Sequence, residues 1–190
     1  MTRLPYLRRD QLDADGTAVW DALTASRGSA VVNDQGGLVG PFNAWLHAPD
    51  TGAILAELGA ALRFRTTVDR RLLELAIITV GARWRAEFEW WAHARMAREH
   101  GVSDAVIDAV GRDEHPHFER DDERVVYATA RRLVADGRLD AVTYDEAHAL
   151  LGDRGMVELV SLCGYYTLVS FTLNAFEVPL PSDARPRWSA

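Results

Sequence analysis

Apolar residues recur at intervals of three and four along most of the chain, and this period predicts helices. Between residues 51 and 64 the positions that follow it are Ile54, Leu55, Leu58 and Leu62. Residues 121–135 repeat the pattern among charged side chains. We find no convincing alternation of polar and apolar residues, so strands are not expected. The sequence therefore predicts an all-α fold of about six to eight helices.

Two segments, residues 72–78 and 156–176, are apolar almost all round, which is typical of helices buried on most sides. Residues 156–176 are long enough to cross a membrane, but their tyrosine, serine, threonine and asparagine side chains are costly in lipid. We expect no membrane contact, and instead a central helix buried within the domain or between subunits. Two such helices have more apolar surface than one small helical bundle readily covers. We therefore expect a homo-oligomer.

Composition and charge exclude several classes of function. The 190 residues predict a single domain, with residues 1–40 as an N-terminal extension and loop and residues 179–190 as a C-terminal tail. A formal net charge of -7 argues against a nucleic-acid partner. One cysteine, Cys163, excludes an intramolecular disulfide and a Cys-x-x-Cys centre. The polar N-terminus does not resemble a signal peptide, so we expect a cytoplasmic protein.

Residues 85–101 carry the densest chemistry and predict a helix that ends at Gly101. Glu89 and His93 are four residues apart, which places a carboxylate and an imidazole on one helix face. Ala86 and Ala97 share that face, and small residues beside an acid–base pair leave room for a substrate. An ordinary Glu–His helix pair is the alternative interpretation.

Further polar residues stand in apolar surroundings. Glu74 is the one carboxylate of residues 72–78, and it predicts either an ion pair with Arg70 or Arg71 or a place in a polar site. Tyr166, Ser170 and Asn174 follow one another at steps of four and form a polar stripe.

The segment around Phe42 and Asn43 adds a polar amide to an apolar turn. The Asn43 amide needs partners if it is buried, or it begins a short helix. His115 and His117 form a His-x-His pair, but their polar loop offers no clear third metal ligand. We therefore expect that loop to be solvated.

Glu74, followed by Phe88-Glu89-Trp90, His93, Ala97 and Gly101, resembles the carboxymuconolactone decarboxylase and alkylhydroperoxidase D-like family. The resemblance is strongest over residues 58–109. It extends more loosely through residues 40–43 and 164–174. It implies an all-helical bundle that commonly forms trimers or hexamers.

The chain departs from the peroxidase branch of that family at two positions. The resemblance implies that the relay glutamate falls on Glu74 and the histidine on His93, while the two cysteines of the peroxidases fall on Ala86 and Glu89. Without a thiolate there, thiol peroxidase chemistry is excluded. Cys163 lies in an apolar helix and is expected to be a small core residue.

The resemblance then implies the other branch, which performs acid–base chemistry on a small organic acid or lactone without a cofactor. His93, Glu89 and Glu74 are the predicted catalytic residues, with His93 suited to proton transfer near neutral pH. The residues predicted to line the substrate pocket are Phe42, Asn43, Trp90, Trp91, Tyr166 and Asn174.

Two alternatives remain open at this point. Glu89, His93 and Glu74 would offer ligands to zinc or iron in a metal-dependent enzyme, although only one histidine is well placed. A non-catalytic oligomeric binding protein would keep the helical fold and lose the chemistry.

Overall fold

The computed structural model describes residues 2–188 of the chain. Within that range the secondary structure consists of eight α-helices and two short 3-10 helices, with one isolated β-bridge between Val32 and Leu38. The all-α prediction is confirmed. The α-helices are α1 (Ala14–Arg27), α2 (Phe42–Leu46), α3 (Pro49–Phe64), α4 (Arg70–Arg83), α5 (Glu87–Glu99), α6 (Asp104–Gly111), α7 (Asp121–Asp136) and α8 (Ala141–Ala175).

Capping side chains set the starts of several helices. The Asp69 side chain accepts a hydrogen bond from the Arg71 N–H at 2.9 Å and begins α4. The Ser103 hydroxyl does the same for Val106 at the start of α6. Helix α5 begins two residues later than predicted, because Arg85 has a left-handed backbone with φ of 48°.

Helix α8 is broken at Gly152, whose φ of 64° is outside the helical range. By length and composition α8 could cross a membrane, but half of its most apolar window is buried inside the protein. That burial is typical of a core helix in a soluble protein.

The chain folds as two compact units. The first comprises Met1–Ala61 and Thr172–Pro179. Its core is built from helix α1, the 3-10 helix Ser29–Val31 and α2, through the buried residues Val19, Trp20, Leu23, Val31, Leu38 and Leu46. Residues of the predicted N-terminal extension and loop therefore contribute to a packed core.

The second unit comprises Leu62–Phe171 and Leu180–Ala190. Helix α4 packs against α5, α6 and α7, and every residue from Leu72 to Gly81 is buried. The aliphatic part of this core includes Leu75, Ile78, Val106 and Val110. Helix α4, which is apolar almost all round, is therefore packed on most sides, as its sequence predicted.

The C-terminal tail is docked on the second unit. The backbone N–H groups of Arg187 and Trp188 donate to the Glu87 carboxylate, each at 2.7 Å. The Trp188 indole N–H donates to the Gly111 carbonyl at 2.9 Å. Residues 189 and 190 of the predicted tail lie outside the described residues.

Candidate active site

Helices α4 and α5 of the second unit position the central side chains. Glu74 lies in the middle of α4, and Glu89 and His93 lie in the first two turns of α5. The turn between the helices is fixed where the Ala86 N–H donates to the Gly81 carbonyl at 3.0 Å. The tight turn brings the first residues of α5 back against α4.

The His93 imidazole lies between two carboxylates. Its Nδ1 is 2.6 Å from Glu74 Oε2, and its Nε2 is 3.0 Å from Glu89 Oε1. All three residues are buried, with Glu74 fully inaccessible. Two carboxylates on opposite sides of one ring favour the imidazolium, because that form carries a proton on both nitrogens.

Glu74 takes part in both arrangements that the sequence left open. Its Oε1 is 2.6 Å from Arg70 Nη2, an ion pair across one turn of α4, while Oε2 faces His93. Arg71 points elsewhere and pairs with Asp122 at 2.7 Å and with Glu123. The helix pair and the polar site are therefore one cluster, which we call the His93 cluster: Arg70, Glu74, Glu89 and His93.

The charged members of the cluster shift one another's pKa values. Burial lowers the pKa of His93, but the charge of Glu89 and the contacts with both carboxylates outweigh it and raise that pKa to about 9. Burial alone would raise the pKa of Glu74. The His93 hydrogen bond and the charges of His93, Arg70 and Arg63 lower it instead. At neutral pH the ring is therefore an imidazolium that faces an ionised Glu74.

Tyr166 of α8 closes one side of the cluster. Its ring meets the His93 ring edge to face, with centroids 5.1 Å apart. Burial and the neighbouring Glu89 charge hold the pKa of Tyr166 well above its ordinary value of 10. The phenol is therefore neutral and is a potential hydrogen-bond donor beside the ring.

Several buried polar atoms near these residues have no hydrogen bond from any part of residues 2–188. They are Glu74 Oε1, Glu89 Oε1, Arg63 Nε and Ser170 Oγ. Glu74 Oε1 and Glu89 Oε1 have ion-pair distances to Arg70 and His93, but not hydrogen-bond geometry. Buried polar groups in folded proteins are nearly always paired, so such a concentration is typical of a functional site.

Sequence reasoning missed Arg63, which lies at the end of α3. Its Nη2 donates to the Met96 sulfur at 3.4 Å, and its charge lowers the pKa values of both Glu74 and Tyr166. No local pattern could have indicated it, because a loop separates α3 from α4 and breaks the helical period.

The other predicted lining residues are placed as follows. Trp90 is a core residue, with its ring 5.3 Å from that of Trp188. Trp91 is half-buried and lies 5.4 Å from Phe88. The remaining three, Phe42, Asn43 and Asn174, belong to the first unit.

Asn43 and Phe42 have defined contacts within the first unit. The Asn43 side chain accepts from the Leu7 N–H at 3.0 Å and donates to the Pro5 carbonyl at 3.1 Å. Phe42 packs edge to face against Trp45. Asn174 is exposed. The predicted residues that the structure brings together are thus Glu74, Glu89, His93 and Tyr166.

The His93 cluster is poorly suited to a metal ion. Within residues 2–188 no group of three or more His, Cys, Asp and Glu side chains has an arrangement that could hold a metal. His115 and His117 are exposed in their loop.

Two cavities of the described residues are not lined by any member of this cluster. One, of about 750 Å³, belongs to the second unit, and another, of about 490 Å³, belongs to the first. His93 lines neither of them.

The sequence of residues 49–116 matches the family model of the carboxymuconolactone decarboxylase family. This segment contains Glu74, Glu89 and His93. No curated protein matches the chain.

Solved structures share the fold over almost the whole chain. An uncharacterized peroxidase-related protein from Ralstonia eutropha JMP134, described as an alkylhydroperoxidase AhpD core, is 12% identical with a TM-score of 0.74. A peroxidase-related protein from Silicibacter sp. TM1040 is also 12% identical, with a TM-score of 0.73. Each comparison covers 96% of this chain and 93% of the other.

The debrominase Bmp8 C82A, solved in complex with 2,3,4-tribromopyrrole, is 14% identical with a TM-score of 0.73 over the same shares of the two chains. At these identities the likeness shows the fold alone. Together with the family match and the single, buried Cys163, it leads to one assignment. Residues 49–116 thus resemble the carboxymuconolactone decarboxylase family, and the chain has the AhpD-like fold without a Cys-x-x-Cys pair.

Proposed function

We propose that this chain is a cofactor-independent acid–base enzyme, a decarboxylase or related lyase that acts on a small organic acid or lactone. The observation that carries the proposal is the buried His93 ring with a carboxylate on each nitrogen, at 2.6 and 3.0 Å. This arrangement keeps a proton donor charged at neutral pH, as a general acid requires.

The chemistry of the one thiol supports an acid–base reaction over a thiol reaction. Cys163 is buried, and burial raises its pKa to about 12. A thiol in that setting is not ionised near neutral pH and is a poor nucleophile.

The geometry suggests how a proton would move. In the proposed step, the C–C bond to a substrate carboxylate breaks, carbon dioxide leaves, and the electron pair stays on carbon as an enolate-like anion. His93 then gives its Nε2 proton to that carbon, because the 3.0 Å contact of Nε2 with Glu89 is longer than the 2.6 Å contact of Nδ1 with Glu74. The neutral ring regains a proton from water, with Glu89 as the relay.

The surroundings of the cluster favour an anionic substrate. Arg63 has a buried Nε without a hydrogen bond, and no carboxylate within residues 2–188 forms an ion pair with it. We assign Arg63 to the substrate carboxylate, since a guanidinium matches that group in shape and charge. The neutral Tyr166 phenol beside His93 would donate to a substrate oxygen.

We also propose a cytoplasmic homo-oligomer, a trimer or hexamer as the family resemblance implies. Helix α8 supports association, because Val157, Val160, Leu168 and Phe171 are exposed along it, Val157 by 67%. An exposed apolar face of this kind is typical of an interaction surface.

A second candidate is a non-catalytic oligomeric binding protein. It is favoured by one observation, namely that His93 does not line the cavities of about 750 and 490 Å³. In that case the His93 cluster would hold α4 and α5 together and carry out no reaction.

A substrate screen separates the two candidates. The purified protein would be incubated with a panel of small β-keto acids and carboxylated γ-lactones, with release of carbon dioxide as the readout. The enzyme proposal predicts turnover of at least one member and its loss in His93→Gln, while His100→Gln, an exposed histidine on the same segment, behaves as wild type. Turnover unchanged in a folded His93→Gln variant contradicts the proposal, and no turnover of any member favours the binding protein.

A further inference from the structure

A second candidate site lies in the second unit, in the cleft of about 750 Å³ that His93 does not line. We call it the basic cleft. Its walls come from the end of α4, the turn into α5, the end of α6, helix α7 and the docked tail. A concave space of this size is within the range of small-molecule sites.

The charge of the basic cleft is opposite to that of the whole chain. Five arginines line it, against two aspartates, although the formal net charge of the chain is -7. The arginines are Arg83, Arg85, Arg112, Arg131 and Arg187. Cations concentrated in a concave site on an acidic protein attract anions locally.

Internal ion pairs neutralise only part of that charge. Arg131 pairs with Asp113 at 3.0 Å and Arg187 with Asp108 at 3.2 Å. Arg112 pairs with Glu114 from outside the cleft lining. Both aspartates of the cleft are therefore already engaged.

Arg83 and Arg85 remain without a carboxylate partner anywhere in residues 2–188. The Arg83 guanidinium lies over the Trp84 ring at 4.9 Å. Two unpaired guanidinium groups two residues apart can bind the oxygens of one anionic group from two sides.

The backbone conformation of Arg85 also supports a functional role for this residue. Arg85 has φ of 48°, a conformation that favours glycine, and hydrogen bonds on both sides hold the turn in place. A glycine would relieve the strain, but it would remove a guanidinium from the cleft. Strain of this kind is typical of functional positions.

The rest of the wall suits an organic ligand. Tyr127 is buried, and its hydroxyl accepts from Arg131 Nη1 at 2.9 Å. The Trp188 ring is held in place by its bond to Gly111 and its contact with Trp90. Aromatic surface beside arginines binds molecules that join an apolar body to negative charge.

We propose that the basic cleft binds a small, multiply charged organic anion, with phosphate or carboxylate groups paired to Arg83 and Arg85. The inference concerns a site other than the His93 cluster and stands independently of the proposed function. Phosphate and carboxylate oxygens offer arginine the same bidentate pairing, so the probes below distinguish them.

The test is isothermal titration calorimetry of the full chain with pyrophosphate and, separately, with citrate at constant ionic strength. The double variant R83Q/R85Q is compared with R65Q/R138Q. The control removes two exposed arginines that do not line the cleft and have no ion pair within residues 2–188, so the change in net charge is identical.

We expect the wild-type chain and R65Q/R138Q to bind at least one of the anions, and R83Q/R85Q to bind it at least about tenfold more weakly. Tighter binding of pyrophosphate would indicate a phosphate ligand, and tighter binding of citrate a carboxylate ligand. No binding of either anion at about 1 mM overturns the proposal. Equal weakening in both double variants also overturns it, since the effect would then come from net charge alone.

Discussion

The His93 cluster and the ion-pair cluster around Arg71 share one plan, a cation between two carboxylates, and differ in what the cation can do. Arg71 lies next to Arg70 on α4 and pairs with Asp122 at 2.7 Å and with Glu123. His93 lies between Glu74 and Glu89 at similar distances. Both sets belong to the second unit.

The two clusters differ in the hydrogen bonding of their buried polar atoms. Within residues 2–188 the buried polar atoms of Arg71, Asp122 and Glu123 all have hydrogen-bond partners. In the His93 cluster, Glu74 Oε1 and Glu89 Oε1 have ion-pair contacts with Arg70 and His93 but no hydrogen bond of good geometry. The Arg71 cluster is therefore complete as built, while the His93 cluster has capacity for a further partner.

Titration separates them as well. The pKa of an arginine is too high for its guanidinium to release a proton in a protein, whereas the His93 pKa of about 9 lies within reach of physiological pH. An ion pair therefore becomes a potential reaction centre when its cation can release a proton.

The largest expected effect is on turnover of a substrate found in the screen. Replacing His93 with glutamine removes the proton donor and should lower kcat by about 100-fold or more, the usual contribution of a general acid. Arg71→Gln should leave kcat within about twofold, because Arg71 is outside the His93 cluster. Steady-state kinetics on both folded variants measures the contrast, and equal losses would show that the His93 effect is structural.

The next effect is on stability above neutral pH. Because the folded-state pKa of His93 is raised from 6.5 to about 9, its contribution is complete below pH 6.5 and is lost as pH rises to about 9. The free energy of unfolding should fall by about 3 kcal/mol across that range. The Arg71 guanidinium keeps its charge throughout that range. Urea unfolding between pH 6 and 10 tests this, and a flat profile would be incompatible with a charged His93.

A smaller effect is expected when the Arg71 cluster is broken at pH 7. Arg71→Gln leaves Asp122 and the buried Glu123 without their shared cation. We expect a loss of about 2 kcal/mol, less than for a fully buried pair because Asp122 is partly exposed. Arg132→Gln, which breaks exposed pairs on the same helix α7 as Asp122, is the control and should change stability by less than about 0.5 kcal/mol.

The smallest effect is expected at Tyr166. Tyr166→Phe keeps the ring against His93 and removes only the hydroxyl, so stability should change by less than about 1 kcal/mol. If the phenol binds a substrate oxygen, KM or kcat should change by about tenfold. Kinetics identical to wild type would remove Tyr166 from the proposed site.

Local chemistry made much of the fold predictable. Asp69 and Ser103 begin helices because their side chains accept backbone N–H bonds, and Gly152 breaks α8 because its backbone is left-handed. The burial of α4 followed from its apolar residues. These features depend on neighbours within a few positions, which the sequence displays directly.

Features that depend on distant contacts were harder to predict. Glu74 and His93 are 19 residues apart on different helices, and only the family resemblance linked them. Residues 1–40 looked like an extension because their core forms with α2, beyond Gly40. The docking of Arg187 and Trp188 depends on Glu87, a hundred residues earlier, and no period connects them.

The most direct test of the account is the protonation of His93 at neutral pH. Nitrogen-15 NMR of imidazole-labelled protein, with the His93 signals assigned by their absence in His93→Gln, reports both ring nitrogens through a pH titration. We expect both ring nitrogens to be protonated at pH 7, and the ring to lose one proton with a pKa of about 9. A neutral ring at pH 7, with a pKa at or below the ordinary 6.5, would contradict it.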